Sequence, residues 1–587
     1  MIFSHVQTTK NCLRLLLIYD PLQFIYDRKC NYDRAESQPC ISISGLKDGR
    51  CSWPRGKVIG GSSVLNYLVY ARGNKRDYDR WAELGNPGWS YDEVLYYFKK
   101  SEDNRNPYLA GTRYHGKGGY LTIQEAPWRT PLASAFVEAG VEMGYENRDC
   151  NGEFQTGFMI PQATLRRGSR CSTAKAFLRP IRRRPNLHIA LHSQVTKVLI
   201  DDRSKRAYGV RFRRHNKLWE VRARKEVILS AGAINSPQIL LLSGIGPRWH
   251  LNEHKIPVVA DLSVGENLQD HYGSGAMAFT IDDPVSIRKE QVQNLPSFMR
   301  YVLFGKGPLT ALAGVEGVAF FNTKYANKSD DYPDAELYLI SGTPGSDGGK
   351  QIRKVHGLTD DTWQFFQPLA NRHSFYIFPW LLRPYSRGSV RLKSNNPFDK
   401  PLMYAGYFKD PRDLKTMVEA QKFALSIAQT DAFKRMGAKF WDEYLMPGCE
   451  QHDPWTDDYW ACCTQHYTTT IYHYSGTCKM GKPDDPGSVV DHELKVYGVR
   501  GLRVIDTSIM PHVVSGNTNG PAVMIGERGS DLIKHYWNQG QRRQRSGRKK
   551  RSSMSGDERA RHDEVLLLDW PDKKVSCGSK QKPDDEK

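Results

Sequence analysis

Residues able to do chemistry cluster in three stretches of the chain. The first is Trp53-Pro54-Arg55-Gly56-Lys57-Val58-Ile59-Gly60-Gly61-Ser62-Ser63-Val64-Leu65-Asn66. Adjacent glycines let a planar or phosphate ligand approach the backbone, and successive N–H groups there can form an anion nest. The second is Gly232-Ala233-Ile234-Asn235-Ser236-Pro237, reached from the apolar run Glu226–Ala231. A strand that enters a helix through small residues is half of a βαβ unit, whose crevice holds dinucleotides. The third is His473-Tyr474-Ser475-Gly476-Thr477-Cys478-Lys479-Met480-Gly481, followed by Asp506 and by Asn517-Thr518-Asn519. A histidine changes charge near neutral pH and is a natural proton acceptor. Cys462, Cys463, His466, His473 and Cys478 also invite a zinc reading. Adjacent cysteines close a tetrahedron badly and no C-x-x-C pair exists, so no metal is expected.

These residues need elements to place them. His188–Leu191 and Val195–Ile200 read as strands, and Tyr208–Phe212 with Trp219–Ala223 as an alternating hairpin. Glu226–Gly232 reads as a buried strand feeding a helix in which Pro237 sits in the first turn. Between about 276 and 440, aromatic runs such as Phe375–Phe378 and Ser389–Leu392 predict a mostly antiparallel second domain. Residues 1–39 show no clean periodicity and are expected to be weakly structured.

The chain has 587 residues, with 13 Trp, 30 Tyr and 22 Phe, which is too aromatic for disorder over most of its length. The net charge is 84 − 64 = +20, of which 14 basic minus 9 acidic residues place +5 in Gln541–Lys587. The block Arg542–Arg551 is expected to be a solvated, disordered basic tail. No aromatic-interleaved basic module suggests specific nucleic-acid binding, and no apolar run is long enough to span a membrane. Eleven cysteines leave pairing open: Cys40 with Cys51, and Cys449 with Cys462 or Cys463, each bracket short loops. Asn327-Lys328-Ser329 is a glycosylation sequon, while Leu13–Tyr19 is too short and too interrupted for a secretory signal.

Together the three stretches resemble the glucose–methanol–choline (GMC) oxidoreductase family, in its insect glucose dehydrogenase-like branch, over about residues 40–538. The resemblance implies a mixed α/β fold. An FAD-binding Rossmann-like domain (40–110, 185–275 and 485–538) would join a second domain (111–184 and 276–484) built on a mostly antiparallel sheet flanked by helices. Residues 1–39 and 539–587 would lie outside both. It further implies FAD, contacted by Arg55, Gly60, Gly61, Ser62, Asn66, Val195, Gly232, Asp506, Asn517 and Thr518. His473 matches the catalytic histidine. Its partner falls at Asn519 when Met524-Ile525-Gly526 is the anchor, with Asn517 as the nearby alternative; His512 is not favoured. The implied reaction removes a hydroxyl proton from an alcohol or sugar and passes hydride to the flavin, with a quinone-type acceptor or oxygen as the final oxidant. The branch also suggests an extracellular protein.

The sequence departs from that family in one respect. No G-x-G-x-x-G occurs anywhere, and residues 1–39 contain no glycine. The expected consequences are loss of the phosphate-binding βαβ unit, a gap in the sheet with unpaired backbone, and phosphate binding weakened by about 5 kcal/mol. A truncated, catalytically inactive binding protein is therefore the alternative reading.

Overall fold

A computed structural model describes residues 43–551 together with the strand backbones 2–8, 12–18 and 24–25. Side chains are described for residues 43–538. Residues Met1–Leu532 form one compact unit, and Ile533–Lys587 are a separate one.

Two sheets dominate the compact unit. The first has five strands in the order Leu187–Ala190, Cys12–Ile18, Ile2–Thr8, Val227–Leu229, Leu502–Val504. Val227–Leu229 runs parallel to Leu502–Val504, and Cys12–Ile18 runs parallel to Leu187–Ala190. Ile2–Thr8 is antiparallel to both of its neighbours. The gap expected in this sheet is therefore absent. The apolar run that fails as a signal sequence pairs as a strand, because unpaired backbone inside a sheet is costly and a hairpin satisfies both flanking edges.

The second sheet has eight strands and is antiparallel throughout, as expected. Its strand Ser374–Leu381 is buried at every residue, and so is Val315–Phe321. Strands buried at every residue imply cover on both faces, and the helix Pro411–Ala428 supplies part of it. Aromatic rings stack along the sheet, with Phe378 and Trp380 at 4.1 Å and Phe279 and Phe375 at 5.2 Å.

A three-stranded meander, Ser193–Ile200, Ala207–Arg214 and Lys217–Arg222, leads to the strand Val227–Leu229. The following helix spans Gly232–Leu242, so Pro237 lies inside it and not in its first turn. The reason is local. Pro237 has no N–H for the Ala233 carbonyl four residues back, and that carbonyl instead accepts the Thr477 hydroxyl at 2.6 Å. At the C-terminus the backbone is helical from Asn519 through Arg551, so the block expected to be a disordered tail begins as helix. Arg, Lys and Gln are good helix formers and extend a helix already begun.

Of the cysteine pairings, Cys449–Cys462 is formed, which removes Cys462 from any zinc set. Cys40 lies outside the described residues. Among the described residues, no helix is long and apolar enough to cross a membrane.

Candidate active site

The three motif stretches converge. Arg55 Nη1 donates to Asn235 Oδ1 at 2.7 Å, tying the first stretch to the helix of the second. Trp53 stacks on Tyr474 at 4.3 Å, tying the first to the third. Thr477 joins the second and third through the carbonyl that Pro237 leaves free.

Gly60 and Gly61 both adopt left-handed conformations at the start of the 3-10 turn Gly61–Val64. Ser63 Oγ donates to the Gly60 carbonyl at 2.6 Å, and Ser62 Oγ accepts from Gly56 N at 3.2 Å. Asn66 Oδ1 is held by Arg170 at 2.6 Å. Gly232 is also left-handed. A Cβ at Gly61 or at Gly232 would meet no atom within 4 Å, so both turns face open space. Each leaves room for a ligand to approach the backbone closely.

Asp506 lies at the turn that Gly232 opens. Its Oδ2 accepts Gly232 N at 2.9 Å and Ser236 Oγ at 2.6 Å, and its Oδ1 accepts Ser508 N at 2.8 Å. The carboxylate is spent on the strand-to-helix turn, since an acidic group is stabilised by the orphan N–H groups of a helix start. Val195 lies beside the bulge in the strand Ser193–Ile200, and Thr518 is buried just before the C-terminal helix.

His473 is buried, and its backbone N–H and both ring nitrogens have partners. Its backbone N–H donates to Asp270 Oδ1 at 2.8 Å. Its Nδ1 lies 2.9 Å from Nδ1 of His271, and its Nε2 lies 3.3 Å from Nδ2 of Asn517. Proton bookkeeping fixes the tautomers. His271 Nε2 is 2.9 Å from the Leu382 carbonyl, which can only accept, so His271 carries its proton on Nε2. His271 Nδ1 is then the acceptor and His473 Nδ1–H the donor. That leaves the lone pair of His473 on Nε2, facing Asn517. Burial, with the His271 ring beside it, holds the His473 pKa well below the ordinary value, and burial pushes His271 down to about 4. Both rings are neutral at physiological pH.

Asn517, not Asn519, is the asparagine at His473. Its Nδ2 also donates to Tyr338 Oη at 2.8 Å, and its Oδ1 is buried with no hydrogen-bond partner. Among the described residues no hydrogen bond joins Asn519 to His473; Asn519 opens the C-terminal helix. Two asparagines two residues apart are indistinguishable by spacing, and the path of the chain just before the helix brings Asn517 to the histidine. His512 sits instead by Arg387, at 3.4 Å.

Asp270, His271 and Tyr338 went unread in the sequence. The polar run Asn267-Leu268-Gln269-Asp270-His271 ahead of the strand Tyr272–Ser274 was the available signal. Asp270 Oδ2 accepts from Tyr407 Oη at 2.5 Å and from Thr470 Oγ1. Burial raises its pKa to about 7 against donated bonds that favour the carboxylate.

Among the described residues, one cluster has the spacing of a metal site: His250, Glu253 and His254. His250 Nε2 accepts from Leu392 N at 2.9 Å, which puts its proton on Nδ1, the atom turned to Glu253 at 3.4 Å. A protonated nitrogen cannot ligate a metal.

Comparison with known proteins places the chain in a family. The two GMC oxidoreductase family models match residues 35–273 and 384–526. The chain belongs to the GMC oxidoreductase family. It is 44% identical over 505 residues to glucose dehydrogenase [FAD, quinone] of Drosophila pseudoobscura pseudoobscura, covering 86% of this chain and 77% of that protein. It is 37% identical over 494 residues to alcohol dehydrogenase [acceptor] of Pseudomonas putida, covering 83% of each. Among solved structures, pyridoxine 4-oxidase from Mesorbium loti superposes with a TM-score of 0.72 at 26% identity, covering 89% of this chain and 94% of that one.

Proposed function

We propose that this GMC family member is an FAD-dependent oxidoreductase acting on the CH–OH group of an alcohol or sugar. His473 is the base and Asn517 the partner that orients the hydroxyl. One observation carries the reading: a buried neutral histidine presents its Nε2 lone pair beside the unpaired, buried Oδ1 of Asn517. A substrate hydroxyl placed there can give its proton to His473 and be held by the asparagine amide. A neutral base is needed for that transfer, and burial supplies it.

The residues present fit the flavin. The open left-handed positions Gly61 and Gly232 are the backbone surfaces a flat ring and its phosphates require, with Arg55 and Asn66 beside them. FAD, when bound, supplies the hydride acceptor. The names of the relatives support a quinone or another external acceptor.

The test is spectroscopic. Purified protein incubated with FAD and desalted should keep the flavin absorbance, and anaerobic addition of glucose or a primary alcohol should bleach it. His473→Ala should keep the colour and lose the bleaching. A wild-type protein that retains no flavin would overturn the proposal in favour of a non-flavin binding protein.

A further inference from the structure

The helix Leu295–Phe304 is an apolar element with almost no partner. Leu295, Phe298, Met299, Val302, Leu303 and Phe304 are all exposed, Leu295 at 71% and Phe304 at 69%, and Ser297 is its one buried residue. A contiguous exposed apolar surface of this kind marks an interaction site. Residues 291–315 contain no Asp or Glu, and Arg300 and Lys306 are exposed within them.

A second feature adjoins it. Gly305, which caps this helix, packs backbone to backbone on the Arg167–Gly168 turn; a Cβ at Gly168 would sit 2.0 Å from the Gly305 carbonyl oxygen. That turn is one wall of a cleft of about 1030 Å³ whose other walls include Arg166, Lys175, Arg179, Arg182 and Arg183. Among the described residues, Asp103 is the one carboxylate lining it, and Asp103 is already paired with Arg105. Residues 154–200 hold no acidic residue at all.

We infer that this apolar helix and the adjoining basic cleft form one docking surface for an anionic lipid bilayer. Exposed apolar side chains flanked by cations are the chemistry of an interfacial helix, the first entering the acyl boundary and the second meeting anionic headgroups. A second copy of the chain fits less well. A two-fold interface brings the same patch against itself, which would set one basic cleft against another. An acidic protein would match the cations and leave the bare helix unexplained.

Co-sedimentation of the full chain with vesicles tests this. Binding is expected to phosphatidylcholine vesicles containing phosphatidylserine, much less to phosphatidylcholine alone, and to weaken as salt rises. Phe298→Asp with Leu303→Asp should cut binding on the order of tenfold or more, and Arg179→Glu with Arg182→Glu should abolish the phosphatidylserine preference. Arg179 and Arg182 lie off the helix that carries Phe298 and Leu303, so the two double variants check one another for folding, with circular dichroism on each. Failure of the wild-type chain to bind phosphatidylserine vesicles would overturn the inference, as would binding unchanged in both double variants. A dimer in solution that Phe298→Asp dissociates would assign the surface to a second copy instead.

Discussion

At the residue scale, the site turns on where one proton sits. The Leu382 carbonyl claims the Nε2 proton of His271, which obliges His473 to carry its own proton on Nδ1 and leaves the Nε2 lone pair for the base role proposed above. His473→Ala is expected to lower kcat/KM by about 10²–10⁴-fold, the worth of a positioned general base. His271→Leu should forfeit part of the same factor while His271→Gln, which keeps an acceptor for His473 Nδ1–H, forfeits less. Steady-state kinetics on flavin-loaded protein ranks the three. Asn517→Ala should lose about 1.5–3 kcal/mol of transition-state binding, while Asn519→Ala stays near wild type; equal losses would contradict the assignment. The His473 pKa is depressed, so the base is already neutral at pH values below the ordinary histidine range. The acid limb of the kcat/KM profile should therefore fall well below about 6.5, and a limb at that value would contradict a buried base. The sequence singled out the histidine because its motif spans many positions, and the structure buries it beside His271 and Asn517. The choice between Asn517 and Asn519 was not, since it depends on the path of the chain into a helix.

At the element scale, Arg72 follows the first motif stretch by six residues, and a buried polar network holds the chain there in place. Arg72 pairs with Glu102, His115 Nδ1 meets Glu102 Oε1 at 2.7 Å, and His115 Nε2 meets Asp149 Oδ2 at 2.7 Å. Two cations and two carboxylates sum to zero, which is how charge survives burial. Glu102→Gln leaves Arg72 buried without its anion and should cost about 3–5 kcal/mol, read by chemical denaturation. Burial lowers the His115 pKa, but its bonds to Asp149 and Glu102 outweigh that and raise it. A raised histidine pKa contributes stability that is complete below about 6.5 and lost as pH climbs through the folded value. Thermal melts should therefore show an alkaline decline in the wild type that His115→Gln abolishes. Strands and helices of this unit were largely readable, because alternation and unbroken apolar runs report burial directly. The network was not, since it unites residues 70–150 through side chains with no shared period. Pro237 misled for a related reason: a proline marks a helix start unless, as here, Thr477 satisfies the carbonyl it strands.

At the scale of the whole molecule, the N-terminal hairpin is what makes the five-stranded sheet continuous. Seven residue pairs join Ile2–Thr8 to Cys12–Ile18, three join Ile2–Thr8 to Val227–Leu229, and four join Cys12–Ile18 to Leu187–Ala190. Sequence alone gave no hint of this, because the run has no turn glycine and its partners lie about 170 to 230 positions away along the chain. Deleting residues 1–25 would expose two strand edges at once, Val227–Leu229 and Leu187–Ala190. Each carries backbone N–H and C=O groups that cost roughly 1–3 kcal/mol apiece when buried and unpaired, and bare edges recruit other chains. The Val227–Leu229 strand also leads into Gly232 and the turn held by Asp506, so disorder there reaches the proposed flavin cradle directly. The deletion should therefore lower the melting temperature, promote aggregation visible by light scattering, and release bound flavin, all in one cooperative step. A shortened protein that melts like the full chain and keeps its flavin would show that the two halves of the sheet stand without the hairpin.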